Sequence, residues 1–269
     1  DGYTGTGISR NILDAYCFLV NHYEPGDQLF LFGFSRGAFT VRSLAGFIRN
    51  SGLLRQDALS VLGRAYLLYR ARGDASRPRG HEATLFRRTY AVADAIPIEF
   101  VGVWDTVGSL GNPLLFGKLS PQNRFHDTDL STIVRHAFQA LAIDEKRWMF
   151  EACLWHQQQD ARDQTMEQAW FPGVHCNVGG GYVDAGLSDG ALEWLVDNAK
   201  RCGLRVGPLH LTPNPQGKIR ESWRGLYCLF PPVRRSIGVL TKDRGPTNES
   251  LHPSVLARYR RHGIPVARV

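Results

Sequence analysis

Hydrophobic positions along the chain follow two alternating rhythms. Ile8, Ile12, Ala15, Tyr16 and Leu19 recur at three- and four-residue steps, which predicts an amphipathic helix over residues 8 to 23, closed by the turn Pro25-Gly26-Asp27. Residues 28 to 32 are almost wholly apolar, the pattern of a strand buried on both faces of a parallel sheet, and they stop at Gly33. From Arg36 onward Val41, Leu44, Ala45 and Ile48 return to helical spacing as far as Ser51-Gly52. A helix over residues 56 to 72 and a polar loop over 73 to 80 come next, then a second apolar strand over 96 to 104 with Pro97 near its start. An insert over about 108 to 155 opens as loop to residue 127 and is expected to carry helices at 130 to 142 and 145 to 154. Residues 167 to 174 read as a third strand, and 188 to 202 as a helix with Ser188 or Asp189 as its cap and Gly203 as its stop. The tail, about 206 to 269, is rich in Pro and Gly and reads as loops. Strands alternating with helices predict an α/β fold with a mainly parallel sheet flanked by helices.

Composition narrows this little. A length of 269 residues with 43% hydrophobic content suits one α/β domain and excludes collagen-like and disordered chains. No run of about 18 apolar residues occurs, and the start lacks the pattern of a cleavable signal peptide. The expectation is therefore a protein that is cytoplasmic in the producing cell, or secreted without a cleavable signal. The opening at Asp1, without Met and in what reads as a Gly/Thr loop, leads us to expect an upstream segment.

Charge and cysteine change the picture mainly by exclusion. The net charge of +7 comes from scattered arginine rather than from a long basic run, and no zinc-finger, RNA-binding or basic-heptad motif accompanies it. That argues against nucleic acid as partner. It leaves a solvated Arg-rich surface or a basic face suited to anionic membranes. Five widely spaced cysteines without a C-x-x-C point to reduced thiols, and no metal or cofactor site emerges. Trp104, Trp148, Trp155 and Trp170 are expected in the core, with the lining of an acyl-binding cleft as the alternative for some of them.

The chemistry gathers at three strand ends. Gly33-Phe34-Ser35-Arg36-Gly37 fits the G-x-S-x-G nucleophile elbow and sits where that turn must sit, between a buried strand and an amphipathic helix. A side chain at Gly33 or Gly37 is expected to obstruct the close approach of strand and helix. Ser35 would then present its hydroxyl over the sheet edge, with the Arg36 backbone N–H at the helix start available to an oxyanion. A serine nucleophile needs a base, and the base an acid to fix its tautomer. Asp105 and His175 each follow a predicted strand, and the order Ser, Asp, His is that of the α/β-hydrolases. Alternatives remain for each: a structural Gly-Ser turn at Ser35, a turn carboxylate at Asp105, a satisfied histidine beside a glycine turn at His175. His252 is the rival base, being late in the chain, and His136 and His156 fit packing or surface roles.

Gly33-Phe34-Ser35-Arg36-Gly37-Ala38 with Arg42, Gly102-Val103-Trp104-Asp105-Thr106-Val107-Gly108, and Phe171-Pro172-Gly173-Val174-His175 with Val178-Gly179-Gly180-Gly181-Tyr182 occur together in this order. With Ala142 to Arg147 and Leu251 to Val255, they resemble the uncharacterised α/β-hydrolase domain family that includes the type VI secretion phospholipase effectors. The resemblance covers about Gly5 to Arg258. It implies Ser35 as nucleophile, Asp105 as acid and His175 as base of an ester hydrolase, with a lipid or ester substrate and, in part of the family, membrane phospholipids. It also implies a secretion-apparatus or immunity partner. Two departures stand out. Asn177 occupies the position where the family carries Asp, and it is expected to brace the glycine turn without that carboxylate's charge. The family's first strand and Asp-Gly-Thr loop have no counterpart here, so the expectation is a single hydrolase domain over residues 1 to 269 lacking N-terminal strands, with its second oxyanion donor absent. A soluble carboxylesterase and a truncated non-catalytic binding module are the alternatives.

Overall fold

The computed structural model describes residues 5 to 107, 129 to 161, 163 to 238 and 245 to 259. Five strands form one sheet: β1 (Leu29–Phe34), β2 (Ile98–Trp104), β3 (Val134–Ala142), β4 (Thr165–Phe171) and β5 (Glu249–Leu251). They lie in the order β1-β2-β3-β4-β5, and every neighbouring pair is parallel. The helices are α1 (Gly5–His22), α2 (Arg36–Ser51), α3 (Leu62–Arg70), α4 (His81–Tyr90), α5 (His175–Gly179), α6 (Gly186–Arg201) and α7 (Pro253–Tyr259). No described helix is long and apolar enough to cross a membrane.

A parallel sheet needs cover on both faces, and alternate residues of the strands supply it. Val101 and Val103 of β2 join Ile12, Tyr16, Leu44 and Ile48 of α1 and α2 in one core. Phe100, Phe138 and Phe171 on the opposite face join Ala191, Leu195 and Ala199 of α6. Trp194 of α6 packs edge-on against Phe138 and Phe171, with centroids 5.6 and 5.5 Å away. Tyr16 is fully buried, and its hydroxyl donates to the Gly52 carbonyl while accepting the Leu54 N–H. Burial raises that phenol well above its usual range.

Polar groups inside the sheet are matched to one another. Gln139 Nε2 donates to Gln168 Oε1 at 2.8 Å and to the Cys153 carbonyl at 3.2 Å, while Thr106 Oγ1 donates to Gln139 Oε1 at 2.5 Å. Gln168 Nε2 donates to the Trp155 carbonyl, and its Oε1 accepts the Trp155 N–H. This network ties β3, β4 and the segment just beyond β2 to Cys153 and Trp155 beside them, and leaving a buried amide of it unpaired would cost that group's full desolvation.

Several expectations need correction. Residues 134 to 142 form β3 rather than a helix. A central strand buried on both faces loses the two-residue alternation that marks a strand, and its three alanines suggested a helix; pairing with β2 and β4 decides the outcome. The helix expected at 145 to 154 reduces to the single 3-10 turn Trp148–Phe150, after which Ala152 bridges to Val107. Residues 172 to 174 are turn rather than strand, and α4 was not anticipated. Gly5 to Gly7 lie in the first turn of α1 rather than in a loop. Ala185 holds the N-cap position of α6, and Ser188 and Asp189 bond elsewhere. The tail contributes β5 and α7. Trp155 and Trp170 are buried and Trp104 half-buried, whereas Trp148 is 37% exposed. The expected loop over 108 to 127 lies outside the described residues.

Candidate active site

Because all strands are parallel, their carboxyl ends share one edge, where ligands gather in open α/β sheets. Ser35 follows β1 directly, Asp105 follows β2 directly, and His175 opens α5 four residues after β4. Ser35 sits at φ 56° and ψ −116°, and Asp105 at φ 41°. Side-chain-bearing residues are rarely held in this left-handed region, and the strain is borne where a side chain must be aimed. The Ser35 N–H is fixed by the Trp104 carbonyl at 3.0 Å, and the Asp105 N–H by the Ala140 carbonyl at 2.8 Å.

Gly33 is required by contact: a Cβ there would lie 2.4 Å from the Gly37 carbonyl oxygen. Gly37 is not, since a Cβ there would meet nothing within 4 Å, which corrects the expectation that both glycines relieve a clash. Gly33→Ala is expected to destabilise the fold by about 3 kcal/mol or more, and Gly37→Ala to stay within about 0.5 kcal/mol of the parent, as urea unfolding would measure. Gly179 carries a comparable constraint, because a Cβ there would lie 2.0 Å from the Phe34 ring. Its absence lets α5 close onto the elbow, and the His175 ring lies 4.6 Å from that of Phe34.

The three side chains meet. His175 Nε2 lies 2.8 Å from Ser35 Oγ, and His175 Nδ1 lies 2.6 Å from Asp105 Oδ2. Asp105 and His175 are buried, and Ser35 is half-buried and therefore reachable. This geometry calls for a proton on Nδ1, leaving Nε2 to accept from the hydroxyl. The backbone N–H of Arg36 begins α2 beside Ser35, and the Arg36 side chain is exposed.

Asp105 is held by more than histidine. Arg235, itself buried, contacts both carboxylate oxygens: Nη1 donates to Oδ1, and Nη2 donates to Oδ2 at 3.0 Å. Oδ1 also accepts the Ala142 N–H at 2.9 Å. Burial by itself would raise the Asp105 carboxyl, but the Arg235 guanidinium and His175 outweigh it and hold the group far below the usual carboxylate range. Nη1 of Arg235 further donates to the Ala142 carbonyl at 2.8 Å, and Nη2 to that of Phe150, so the guanidinium links the carboxylate to the end of β3.

Two carboxylates after β3 set the path into α5. Asp144 Oδ2 accepts the Gly173 N–H at 2.6 Å, and Glu145 Oε2 accepts the His175 N–H at 3.2 Å. Glu145 is buried and gripped by the Arg147 fork at 2.9 Å on each oxygen, and Ser222 Oγ adds a hydrogen bond. Burial would raise Glu145, but Arg147 prevails and lowers it. Asn177 Oδ1 accepts the Val174 N–H at 3.3 Å and the Arg220 N–H at 3.1 Å, so the expected bracing of this turn is present.

The rival histidines lie elsewhere. His252 Nδ1 faces Ser254 Oγ at 2.8 Å, its ring stacks on Phe171 at 4.2 Å, and burial lowers its pKa. His136 lies on β3 at 3.7 Å from Glu99, and His156 Nδ1 is 2.9 Å from the Gly245 carbonyl. Arg235, Asp144 and Glu145 are the site residues that had no assigned role in the sequence reading. The first lies in the tail read as loops, and the other two had only their place in a motif of the resemblance.

The family described as type VI secretion phospholipase effector Tle1-like, catalytic domain, matches residues 1–198. An uncharacterised protein of Saccharomyces cerevisiae is 34% identical over 156 residues, covering 56% of this chain and 22% of that protein. The crystal structure of an uncharacterised protein from Pseudomonas aeruginosa aligns at 21% identity with a TM-score of 0.40, covering 74% of this chain and 27% of the other. The structure of the Tle1 effector bound to the VgrG spike from the Type 6 secretion system aligns at 22% identity with a TM-score of 0.33, covering 67% of this chain and 30% of the other. The chain thus spans between 22% and 30% of the lengths of these relatives.

Proposed function

The chain belongs to the family of type VI secretion phospholipase effectors with a Tle1-like catalytic domain, and from that premise we propose that it is a serine ester hydrolase of lipase type acting on phospholipids. The observation that carries this reading is the continuous line from Ser35 Oγ through His175 to Asp105, with contacts of 2.8 and 2.6 Å. Ser35 attacks the ester carbonyl while His175 Nε2 takes its proton. The oxygen that becomes negative receives the Arg36 N–H at the start of α2, where the helix dipole adds to the hydrogen bond. Collapse expels the alcohol, to which His175 returns the proton, and water releases the acyl group by the same steps in reverse. Asp105 keeps Nδ1 protonated and stabilises the imidazolium. Asp144, Glu145 and Arg235 are positioning residues, which touch the His175 turn or the Asp105 carboxylate rather than substrate.

Phospholipid is favoured over small soluble esters by the family and by the basic balance of the chain, +7 overall, which suits an anionic membrane. A secretion-apparatus or immunity partner, and export without a cleavable signal, are proposals for the larger protein. Turnover of phospholipid vesicles against a monomeric short-chain ester tests the reading. Preference for vesicles supports it. Preference for the short ester supports a soluble carboxylesterase, and a folded protein that cleaves neither supports a binding module.

A further inference from the structure

We propose that the exposed turn Gly225–Leu229 is the surface through which the chain settles on an anionic lipid bilayer, placing the facing leaflet beside His175. The inference rests on the phospholipase reading and adds to it the residues that meet the membrane. The turn itself lies beyond the family match, which ends at residue 198.

The turn displays apolar side chains where a water-facing loop has no need of them. Leu226 is 64% exposed and Leu229 70%, and the nearby Val233 and Trp148 are 46% and 37% exposed. In a 3-10 helix residues three apart eclipse one another, so Leu226 and Leu229 share one face. The display is held in place: the Tyr227 N–H bonds the Arg224 carbonyl at 3.3 Å, the Phe230 N–H bonds the Tyr227 carbonyl at 3.2 Å, and Trp223 Nε1 donates to the Phe230 carbonyl at 2.9 Å. Scattered exposed leucines are ordinary, but a supported cluster of this kind marks an interaction surface.

Position ties this surface to the site. The Phe150 ring packs edge-on against His175 at 4.9 Å, and Tyr227 of the turn packs against Phe150 at 6.4 Å. Trp148 meets Phe230 at 5.6 Å, and the Val233 N–H bonds the Lys146 carbonyl at 2.8 Å. Two aromatic contacts therefore separate the imidazole from the leucine face.

Charge selects the occupant. Between residues 218 and 234 stand Lys218, Arg220, Arg224 and Arg234 against one acid, Glu221, whose carboxylate is held by Lys146 at 2.9 Å. Lys218, Arg224 and Arg234 are exposed. Apolar side chains flanked by cations match the boundary between acyl chains and anionic headgroups. A bilayer occupant also brings the ester to Ser35, whereas a protein seated here would stand beside the site without supplying substrate.

The test uses Leu226→Glu/Leu229→Glu, with Leu226→Ser/Leu229→Ser as the milder pair. Both are made in the parent chain and in Ser35→Ala, so that binding is read without hydrolysis. Co-sedimentation with mixed phosphatidylglycerol and phosphatidylcholine vesicles is expected to weaken about tenfold for each leucine removed. Parent binding should fall on pure phosphatidylcholine and with added salt. The ratio of vesicle turnover to short-chain ester turnover should fall with binding. Vesicle binding and this ratio both unchanged in the two double variants would overturn the proposal. So would a parent dimer, seen by light scattering, that the substitutions dissolve without affecting vesicle binding, since the face would then serve a second copy. Leucine-dependent vesicle binding by a parent protein that cleaves no ester would retain the surface and remove the hydrolase reading.

Discussion

Ser35→Ala is expected to lower ester turnover by about 10⁵- to 10⁶-fold while leaving the fold intact. The size follows from the site's organisation. Without the hydroxyl no acyl-enzyme forms, and His175, oriented by Asp105, has no nucleophile to activate. The residual rate would come from substrate binding and the Arg36 N–H, which remain. His175→Ala should lose nearly as much, and the double variant little more than either alone, because groups that act as one unit do not contribute additively. Ser35 is half-buried at a strained turn, so alanine removes one hydrogen bond and leaves φ 56° to be borne without it. Circular dichroism and urea unfolding should therefore show a native fold with at most a small change in stability. A kcat within tenfold of the parent would remove Ser35 from the chemistry.

Arg235→Met should have the largest effect on stability, about 3–5 kcal/mol at neutral pH, because it leaves the Asp105 carboxylate buried without its fixed cation. The pH dependence separates charge from packing. In the parent, Asp105 has a folded pKa far below its unfolded value, so its contribution is present above the unfolded value and is lost as pH falls toward the folded one. In the variant burial dominates, the folded pKa rises, and the acid-side loss shrinks or reverses. The stability gap between the two proteins should thus be widest near neutral pH and narrow on acidification, as urea unfolding across a pH series would measure. Turnover should fall as well, with Arg235→Lys recovering part of the stability and added guanidinium recovering part of the activity of Arg235→Ala. A gap that stays constant with pH would mean that Arg235 serves only as packing.

The features legible from sequence were those with local signals. A buried strand, a tight turn with a clash-forbidden Gly33 and an amphipathic helix announce the elbow in consecutive residues, and Asp105 and His175 announce themselves by following apolar runs. What escaped depends on contacts distant in sequence. Arg235 is separated from Asp105 by 130 positions and lies in a segment whose composition reads as loop. Glu145 is recognisable as structural only once α5 places the His175 N–H above it. β3 was misread because its alanines and its burial on both faces hide a strand's alternation, which only its two neighbours reveal. Gly37 shows the opposite error: the motif letter suggested a steric need where the space beside it is open.

The most direct measurement of whether the Ser35, His175 and Asp105 line is an ester-cleaving site is labelling with a fluorophosphonate, followed by mapping of the modified peptide. The expected result is a single adduct on Ser35, lost in Ser35→Ala and strongly slowed in His175→Ala. An adduct on another residue, or labelling that survives in Ser35→Ala, would contradict it.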